Sequence, residues 1–332
     1  MTMTSVHLVQ RPDGMVKDSD FEVRKGDAPT PGPGEVLVKV SHISLDPAMR
    51  GWMNEGKSYI PPVGIGEIMR AGAVGEVVAS HDESFAPGDW VSGTLGVTTH
   101  AVVQGKDLVK IDTSLAPPER YLSALGMPGM TAYFGILDVG DIKAGETVVV
   151  SAASGAVGAL VCQIAKIKGC RVVGIAGGPE KCAYLTDEIG CDAAIDYKSE
   201  NVLKAMADAC PKGVDVYFDN VGGDILEAAM TLLARRARVV ICGAIAGYND
   251  FAAIRGPRNY LNLLVQHARM EGFVVFDYHD RYAEGIKDMA KWLSEGKMTA
   301  KEDIRDGGVE RYVEVLNMLF TGENFGKLVL KA

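Results

Sequence analysis

The residues with the clearest chemical pattern lie in VVVSAASGAVGALVCQIAK, residues 148–166. An apolar strand leads into Ala153-x-Gly155-x-x-Gly158, and a predicted helix follows at once. Gly155 lets the backbone approach a pyrophosphate, Gly158 lets the helix pack closely on the strand, and the first amide groups of the helix can bind the anion. Because the strand RVVGIAG then completes a βαβ unit, we predict a dinucleotide-binding loop. The alternative is a close-packed turn without a ligand.

The end of that second strand carries the next informative residues. Sites that prefer NAD usually place an acid there to bind the adenosine ribose, but Ala176, Gly177 and Gly178 supply none. Lys181 follows at the start of the next predicted helix, where its ammonium group can pair with a phosphate. The segment AGGPEK, residues 176–181, therefore predicts a pocket for the 2′-phosphate of NADP. The alternative is a glycine-proline turn followed by a solvated lysine.

The elements that must position these residues change character along the chain. Residues 6–111 are dense in β-branched residues and turn formers, as in EVLVKVSHIS and PGDWVSG, which predicts an irregular β domain. From about residue 127, short apolar strands alternate with amphipathic helices, which is the pattern of an α/β fold with a doubly wound parallel sheet. Two of these helices are expected near residues 225–234 and near residues 260–268. The final NFGKLVL offers a strand that can rejoin the first domain.

The composition excludes several classes of function. A chain of 332 residues is long enough for two domains, and 47% hydrophobic with 23% charged residues is ordinary for a soluble protein. The formal net charge of -9 argues against nucleic acid or an anionic membrane as a partner. The N-terminus lacks a signal-peptide pattern and no apolar run could span a membrane, so we expect a cytoplasmic protein. The six cysteines form no CxxC pair, and we expect reduced, buried thiols.

Several stretches occur in the order and spacing of a known family: SLDPAMRGWMN, MPGMTAYFGI, AASGAVGALVCQIAK, VDVYFDNVGG, ICGAIAGYN and ENFGKLVL. Along essentially its whole length the chain resembles the medium-chain dehydrogenase/reductase superfamily. Within that superfamily it resembles the zinc-free NADPH-dependent double-bond reductases, which include the prostaglandin and curcumin reductases. The resemblance implies a GroES-like catalytic domain of residues 1–126, completed by residues 303–332, and a Rossmann-type NADP-binding domain of residues 127–302. It also implies a homodimer joined through the cofactor domains.

The resemblance also assigns cofactor contacts to matching positions. Lys181 and Tyr197 in AAIDYK would flank the 2′-phosphate, while Asn220 in FDNVGG and Asn324 in GENFGK would reach the nicotinamide side. The structural alternatives are an edge-strand aromatic for Tyr197 and turn residues for the two asparagines. The segment MPGMTAY would line the nicotinamide end. The full set of predicted cofactor-binding residues is Met127, Gly129, Thr131, Ala153, Gly155, Ala156, Val157, Gly158, Gly177, Lys181, Tyr197, Asn220, Cys242, Gly243 and Asn324.

The residues that bind zinc in zinc-dependent members of the superfamily are missing here. Leu45 and Asp46 stand where a thiolate is needed, and the Gly66-Glu67 pair lacks the imidazole. The histidines show no ligand spacing and no four-cysteine lobe exists, so we expect no metal. Asp46 and Pro47 are instead predicted to be the N-cap and first residue of a helix.

A zinc-free site of this family suits a hydrophobic conjugated carbonyl substrate better than an alcohol. Hydride from C4 of the nicotinamide would add to the β-carbon of an enone or enal, and negative charge would move to the carbonyl oxygen as an enolate. We expect Tyr59 and Tyr260 to donate hydrogen bonds to that oxygen, with a cofactor ribose hydroxyl as a third donor. The alternatives are an aromatic in a proline-rich loop for Tyr59 and an aromatic packed on the sheet for Tyr260.

Two other hypotheses stay open at this point. The chain could be a zinc-free NADPH quinone reductase of the same superfamily, which would turn over quinones but not enals. It could also be a non-catalytic NADPH-binding protein, which would bind the cofactor without oxidising it. The segments SLDPAMRGWM and IPPVGIGE favour enone reduction over quinone reduction.

Overall fold

The structure is a computed structural model that describes every residue from 1 to 332. The chain divides into two compact units, one of residues 1–122 with 302–332 and the other of residues 123–301. The limits of these units fall slightly before the predicted boundaries at 126/127 and 302/303. None of the helices is both long enough and apolar enough to cross a membrane.

The regular elements follow one another in a β-rich, then alternating, then mixed order. In chain order the strands are β1 (Thr2–Leu8), β2 (Phe21–Asp27), β3 (Glu35–Ser44), β4 (Gly72–Ser80), β5 (Trp90–Thr94), β6 (His100–Gln104), β7 (Leu108–Lys110), β8 (Thr147–Val150), β9 (Arg171–Ala176), β10 (Ala193–Asp196), β11 (Val214–Asp219), β12 (Leu233–Ile241), β13 (Arg269–Gly272), β14 (Glu302–Arg305) and β15 (Lys327–Lys331). The helices are α1 (Ala48–Trp52), α2 (Met127–Phe134), α3 (Gly158–Ile167), α4 (Pro179–Asp187), α5 (Val202–Ala209), α6 (Gly223–Thr231), α7 (Leu261–Gln266), α8 (Tyr282–Ser294) and α9 (Tyr312–Thr321). A π-helical turn covers Gly135–Val139, and 3-10 turns cover Asp18–Asp20, Gly105–Asp107, Pro118–Leu122, Ile245–Gly247, Phe251–Ala253, Val275–Arg281 and Val309–Arg311.

The first unit is the GroES-like, β-rich part of the fold. Its main sheet has the order β14-β15-β3-β4-β5-β7, with β6 also paired to β3, while β1 and β2 form a separate antiparallel pair. The C-terminal strand β15 pairs antiparallel with β3, so that Leu330 lies opposite Ile43. Both side chains are fully buried in the apolar core of the unit. The last residues of the chain therefore support the end of β3, from which the loop to α1 departs.

The second unit is a Rossmann-type parallel sheet. Its six strands have the order β10-β9-β8-β11-β12-β13, and every neighbouring pair is parallel. The chain progresses outward from β8 in one direction to β10 and then returns to β11 and continues the other way. Open sheets of this kind bind ligands beyond the carboxyl ends of the strands, at the point where the order reverses. That point lies between β8 and β11.

Two helices of this unit are shorter than the sequence predicts. The helix expected near residues 225–234 is α6, which ends at Thr231 because Leu233 already begins β12. The helix expected near residues 260–268 is α7, which ends at Gln266 because His267 adopts a left-handed conformation with φ 52°. Both differences concern helix ends, where local sequence patterns are least decisive.

Candidate functional site

The glycine loop lies at the carboxyl end of β8, beside the reversal of the strand order. A Cβ on Gly158 would lie 2.4 Å from the carbonyl oxygen of Ala152, so only glycine allows α3 to begin this close to the loop. Gly155, Ala156 and Val157 form the partly exposed rim of the loop. The first amide groups of a helix lack acceptors within the helix, so the start of α3 can bind a phosphate.

The end of β9 lies next to this loop. The amide of Ala153 donates a 2.9 Å hydrogen bond to the carbonyl of Ile175 on β9. Two residues further on, a Cβ on Gly177 would lie 2.9 Å from Cε1 of Tyr197 and 2.9 Å from Cε of Lys198. The missing side chain at Gly177 thus makes room for two side chains that arrive from the turn after β10.

An acid from the neighbouring strand reaches the end of β9, although β9 itself supplies none. Oδ1 of Asp196 accepts hydrogen bonds from the amides of Gly178 at 2.7 Å and Lys198 at 3.0 Å, and Oδ2 accepts one from Oγ of Ser199 at 2.8 Å. These hydrogen bonds, the one from Gly178 above all, lower the pKa of the Asp196 carboxyl. The carboxylate therefore ties the turn after β9 to the turn after β10. Lys181 lies on the first turn of α4, directly after this point, and is partly buried.

The ends of β8 and β11 are joined by Ser151 and Asn220. Nδ2 of Asn220 donates to the carbonyl of Ser151 at 2.7 Å, and the amide of Asn220 donates to Oγ of Ser151 at 2.8 Å. One hydrogen of the Asn220 carboxamide is thus already donated to a protein group. Its Oδ1 is the atom that can accept a hydrogen bond from a ligand.

Behind Asn220 lies a buried carboxylate that the sequence analysis did not single out. Oδ1 of Asp219 accepts hydrogen bonds from Oγ of Ser151 at 3.1 Å, from the hydroxyl of Tyr217 at 2.9 Å, and from the amides of Val221 and Gly222 at 3.0 Å each. Burial raises the pKa of the Asp219 carboxyl, and these hydrogen bonds oppose the rise. Burial also raises the pKa of Tyr217 well above its usual value, so the phenol remains a donor. The network holds the turn that presents the Asn220 carboxamide.

The residues after β12 complete this edge of the sheet. The amides of Cys242 and Gly243 donate to the carbonyl of Asp219 at 2.9 and 3.1 Å. A Cβ on Gly243 would lie 3.0 Å from the hydroxyl of Tyr248, which accepts a 3.2 Å hydrogen bond from the amide of Ala244. Burial raises the pKa of the Cys242 thiol to about 12, so this cysteine is protonated at neutral pH and is a poor nucleophile. Tyr248 also lies at this edge of the sheet, and the sequence predicted no role for it.

The three predicted residues of the MPGMTAY segment lie on α2. A Cβ on Gly129 would lie 1.9 Å from the carbonyl oxygen of Ala124, so glycine is required where the helix packs on the preceding turn. Oγ1 of Thr131 donates to the carbonyl of Met127 at 2.8 Å. The threonine proton is thereby used inside the helix.

In the β-rich unit, Tyr59 lies in the loop after α1 and is 55% exposed. Nε1 of the buried Trp52 donates a 3.1 Å hydrogen bond to the Tyr59 hydroxyl. The guanidinium of Arg70 lies over the Trp52 ring, 5.8 Å from its centroid, and donates to the carbonyl of Pro61 at 2.9 Å. A buried indole therefore orients the hydroxyl of an otherwise exposed tyrosine.

Asp46 is not the helix N-cap that the sequence predicts. The N-cap position of α1 is Pro47, and no side chain caps the helix. Instead, Oδ1 of Asp46 lies 2.7 Å from Nζ of Lys327, and Oδ2 accepts a 2.5 Å hydrogen bond from Oγ of Ser44. Burial lowers the pKa of the Lys327 ammonium, and the charge of Asp46 opposes that change. Lys327 lies 281 residues from Asp46 in sequence. Because the Asp46 carboxylate binds this buried ammonium group, it does not cap the helix.

The second predicted catalytic tyrosine lies in the Rossmann-type unit. Tyr260 directly precedes α7 and is 60% exposed, so it is not the sheet-packed aromatic offered as its alternative. Leu261, Leu264 and Val265 are also exposed, at 58%, 75% and 65%. Tyr59 and Tyr260 thus lie in different units, and their catalytic roles stay predictions.

Asn324 lies in the turn before β15, in the β-rich unit. Its Nδ2 donates a 3.2 Å hydrogen bond to the carbonyl of Gly326. The amide of Phe325 donates to Oδ2 of Asp303 at 2.9 Å, which holds the same turn against the start of β14. The turn geometry is compatible with both interpretations of Asn324, as a cofactor contact and as a turn residue.

No group of three or more His, Cys, Asp or Glu side chains in the chain could hold a metal ion. Glu67, at the position compared with a zinc site, accepts a 2.7 Å hydrogen bond from the amide of Gly64 through Oε2. All six cysteines are free thiols.

Comparison with protein families matches both units. Residues 4–111 match a family described as the N-terminal domain of oxidoreductase. Residues 156–292 match a family described as zinc-binding dehydrogenase. The second description names zinc, but the positions compared with zinc ligands, Leu45, Asp46 and the Gly66-Glu67 pair, lie outside residues 156–292 and carry neither a thiolate nor an imidazole.

Individual proteins match along the whole chain. NADPH-dependent curcumin reductase of Escherichia coli (strain K12) is 42% identical over 329 residues, which cover 98% of this chain and 96% of that protein. Prostaglandin reductase 1 of Bos taurus is 39% identical over 327 residues, 96% of each chain. The crystal structure of CurA from Vibrio vulnificus in complex with NADPH has a TM-score of 0.94 and 41% identity, and covers 99% of both chains.

Proposed function

Because the chain belongs to the zinc-free NADPH-dependent reductases of the medium-chain dehydrogenase/reductase superfamily, we propose that it reduces the carbon-carbon double bond of α,β-unsaturated ketones and aldehydes. The chain is an NADPH-dependent oxidoreductase. The observation that carries the finer proposal is the full-length similarity to a curcumin reductase, since curcumin contains double bonds conjugated to carbonyl groups. Hydrophobic conjugated carbonyl compounds are the proposed substrate class.

The carboxyl edge of the parallel sheet fits NADPH in two respects. The absence of a Cβ at Gly158 lets α3 begin in contact with Ala152, and the first amides of α3 can receive the pyrophosphate. The Tyr197 ring packs over Gly177, and the next helix brings Lys181, so this end of β9 can receive the 2′-phosphate. We assign the adenosine side of the cofactor to these residues.

The nicotinamide side is assigned to the residues after β11 and β12, to α2 and to Asn324 in the turn before β15. Oδ1 of Asn220 is an acceptor for a ribose hydroxyl or carboxamide, because its Nδ2 already donates to Ser151. The remaining proposed contacts are Met127, Gly129, Thr131, Cys242, Gly243 and Asn324. They supply backbone groups and small surfaces rather than charge.

Bound NADPH would supply a hydride from C4 of its nicotinamide to the β-carbon of the substrate. The electron pair of the double bond would then shift toward the carbonyl oxygen as an enolate, and a proton from solvent water, delivered directly or through a tyrosine hydroxyl, would add at the α-carbon to give the saturated ketone or aldehyde. The task of the chain is to position the enone and to donate hydrogen bonds to the enolate oxygen. We propose Tyr59 and Tyr260 as those donors. The Tyr59 hydroxyl accepts from Trp52, which makes it a stronger donor to the substrate.

The test is turnover of NADPH by the purified protein against an enone such as 4-phenyl-3-buten-2-one, a naphthoquinone and no acceptor. We expect rapid oxidation with the enone and a saturated ketone by mass spectrometry. Turnover of the quinone alone would make the chain a quinone reductase. Binding of NADPH without oxidation by any acceptor would make it a non-catalytic binding protein.

We also propose that the protein is a homodimer joined through its Rossmann-type units. Strand β13 ends the six-stranded sheet and pairs only with β12, so one edge of its backbone is open to another strand. The neighbouring helix α7 exposes Leu261, Leu264 and Val265. Two copies related by a twofold axis could pair their β13 edges and cover these apolar side chains together.

A further inference from the structure

A second lysine reaches the end of β9, in addition to the one that the sequence places at the start of α4. Cε of Lys198 lies 2.9 Å from the position that a Cβ on Gly177 would take. The ammonium nitrogen is one bond beyond that atom. Lys198 follows Tyr197 in the turn after β10, and both side chains lie over the same glycine.

This placement of Lys198 is built into the backbone. The amide of Lys198 and the amide of Gly178 donate to the same oxygen of Asp196, at 3.0 and 2.7 Å. One carboxylate oxygen thus joins the turn that carries Lys198 to the turn that contains Gly177 and Gly178. The other oxygen accepts from Ser199, and the amide of Asp196 donates to Oε2 of Glu200 at 2.9 Å.

Lys198 supplies a second positive charge at a point that also carries two carboxylates. Asp196 stays ionised at neutral pH because its hydrogen bonds lower the pKa of its carboxyl, and the Glu200 carboxylate lies in the same turn. With Lys181 alone, a dianionic phosphate would meet two carboxylates and one ammonium group. Lys198 raises this to two ammonium groups against two carboxylates, both of which already accept hydrogen bonds from the protein.

We propose that Lys198 is a specificity-determining residue that binds the 2′-phosphate of NADPH, with Asp196 as the positioning residue that holds it over Gly177. The inference rests on the proposed placement of the adenosine end at β9. Lys198 pairs with the phosphate from the β10 side and Lys181 pairs with it from the α4 side. NADH, which has a ribose hydroxyl there, gains nothing from Lys198.

The proposed contact between Lys198 and the 2′-phosphate can be tested by measuring cofactor binding, independently of catalytic activity. The full-length protein and the variants Lys198→Met, Lys181→Met and Lys212→Met are titrated by calorimetry with NADPH, NADH, 2′,5′-ADP and 5′-AMP. Lys212 is an exposed lysine just before β11, at the opposite end of the strands, and serves as the matched control. We expect Lys198→Met to weaken the binding of NADPH and of 2′,5′-ADP about tenfold. The affinities for NADH and 5′-AMP should stay within about twofold of those of the wild type. Lys212→Met should change none of the four.

The outcomes separate the inference from the placement on which it rests. Loss of NADPH affinity in Lys181→Met but not in Lys198→Met would overturn the role of Lys198 and keep the placement. No effect of either substitution would overturn both. Equal loss of NADPH and NADH in Lys198→Met would show that the residue only supports the fold of the turn.

A second variant approaches the same contact from the other side. Gly177→Ala keeps both lysines but places a methyl group 2.9 Å from Cε of Lys198 and 2.9 Å from the Tyr197 ring. Both side chains must move away, so we expect the ratio of NADPH to NADH affinity to fall severalfold. An unchanged ratio would contradict the proposed position of Lys198.

Discussion

The ammonium nitrogen of Lys327 lies 2.7 Å from Oδ1 of Asp46, with the lysine side chain only 2% exposed. Lys327 begins the last strand, and Asp46 lies in the loop between β3 and α1. Nζ of Lys327 also donates to the carbonyl of Leu45 at 2.8 Å. The pair therefore fastens the C-terminus of the chain to the loop that leads toward Trp52 and Tyr59.

Removing one charge of this pair should destabilise the protein strongly. Lys327→Met leaves the buried Asp46 carboxylate without its counter-ion, and we expect the free energy of unfolding to fall by about 3–5 kcal/mol. Urea denaturation followed by circular dichroism measures the change. Lys327→Met combined with Asp46→Leu removes both charges and should recover much of the loss, because neither buried group is then left unpaired. A double variant no more stable than Lys327→Met would contradict this account of the pair.

The contact between Trp52 and Tyr59 predicts a graded loss of activity. Tyr59→Phe removes the proposed donor to the enolate oxygen, and we expect kcat to fall by about 10²-fold. Trp52→Phe keeps an aromatic ring but removes the Nε1 donor that orients the tyrosine hydroxyl, so a smaller fall in kcat is expected with little change in the KM for NADPH.

Tyr121→Phe is a matched control for these substitutions. The Tyr121 hydroxyl donates to the carbonyl of Asp112 within the β-rich unit, and its loss should leave kcat unchanged. Tyr260→Phe measures the second proposed donor separately. Wild-type kcat in Tyr59→Phe would remove Tyr59 from the mechanism.

The buried Asp219 carboxyl predicts an unusual pH dependence of stability. Burial raises its pKa in the folded state, so the folded protein binds this proton more tightly than the unfolded chain. Protonation of Asp219 therefore stabilises the folded protein fully below the pKa that this carboxyl has in the unfolded chain. The stabilisation is lost as the pH rises through the pKa of Asp219 in the folded protein. Asp219→Asn keeps an Oδ1 acceptor for the four donors and removes the charge. We expect the variant to be at least as stable as wild type at pH 7, with its relative advantage shrinking toward pH 4.

Thermal unfolding of both proteins across this pH range measures the difference. Tyr217→Phe serves as a companion variant, because it removes one donor to Asp219 without changing the charge. A marked loss of stability in Asp219→Asn at pH 7 would show that the ionised carboxylate, rather than its acceptor oxygen, holds the turn after β11.

The proposed dimer predicts an effect of charge on α7. Leu264 is 75% exposed on this helix, and Leu264→Glu would place a carboxylate in the proposed interface. Light scattering after size exclusion should give twice the chain mass for wild type and a shift to monomer for the variant. Leu115→Glu, at an 80% exposed leucine of the β-rich unit, is the matched control and should remain dimeric. A monomeric wild type would refute the dimer.

Local constraints made part of the site predictable from sequence. The requirement for glycine at Gly158 comes from atoms only a few residues away, so the motif carries it. The carboxylate of Asp46 could not be assigned in this way. An acid followed by proline before a helix has the pattern of an N-cap, and the competing ammonium of Lys327 becomes its neighbour only through the pairing of β15 with β3.

The same limitation applies at the end of β9. The sequence correctly shows no acid at residues 176–178, but the approach of Asp196 and Lys198 depends on β10 lying beside β9. Asp219 was visible in the segment FDNVGG, and three of its four donors are close in sequence, but its burial and the hydrogen bond from Ser151 follow from the packing of β11 between β8 and β12. Contacts between strands that are distant in sequence thus decided what the local motif left open.

The most direct test of the proposed chemistry follows the hydride itself. The protein is supplied with an enone and with NADPH deuterated at C4, in each of the two stereospecifically labelled forms, and the product is analysed by mass spectrometry and NMR. One of the two forms should give a saturated ketone with a single deuterium at the β-carbon. An allylic alcohol with deuterium on the former carbonyl carbon, or a saturated ketone without deuterium from either form, would contradict hydride addition to the double bond.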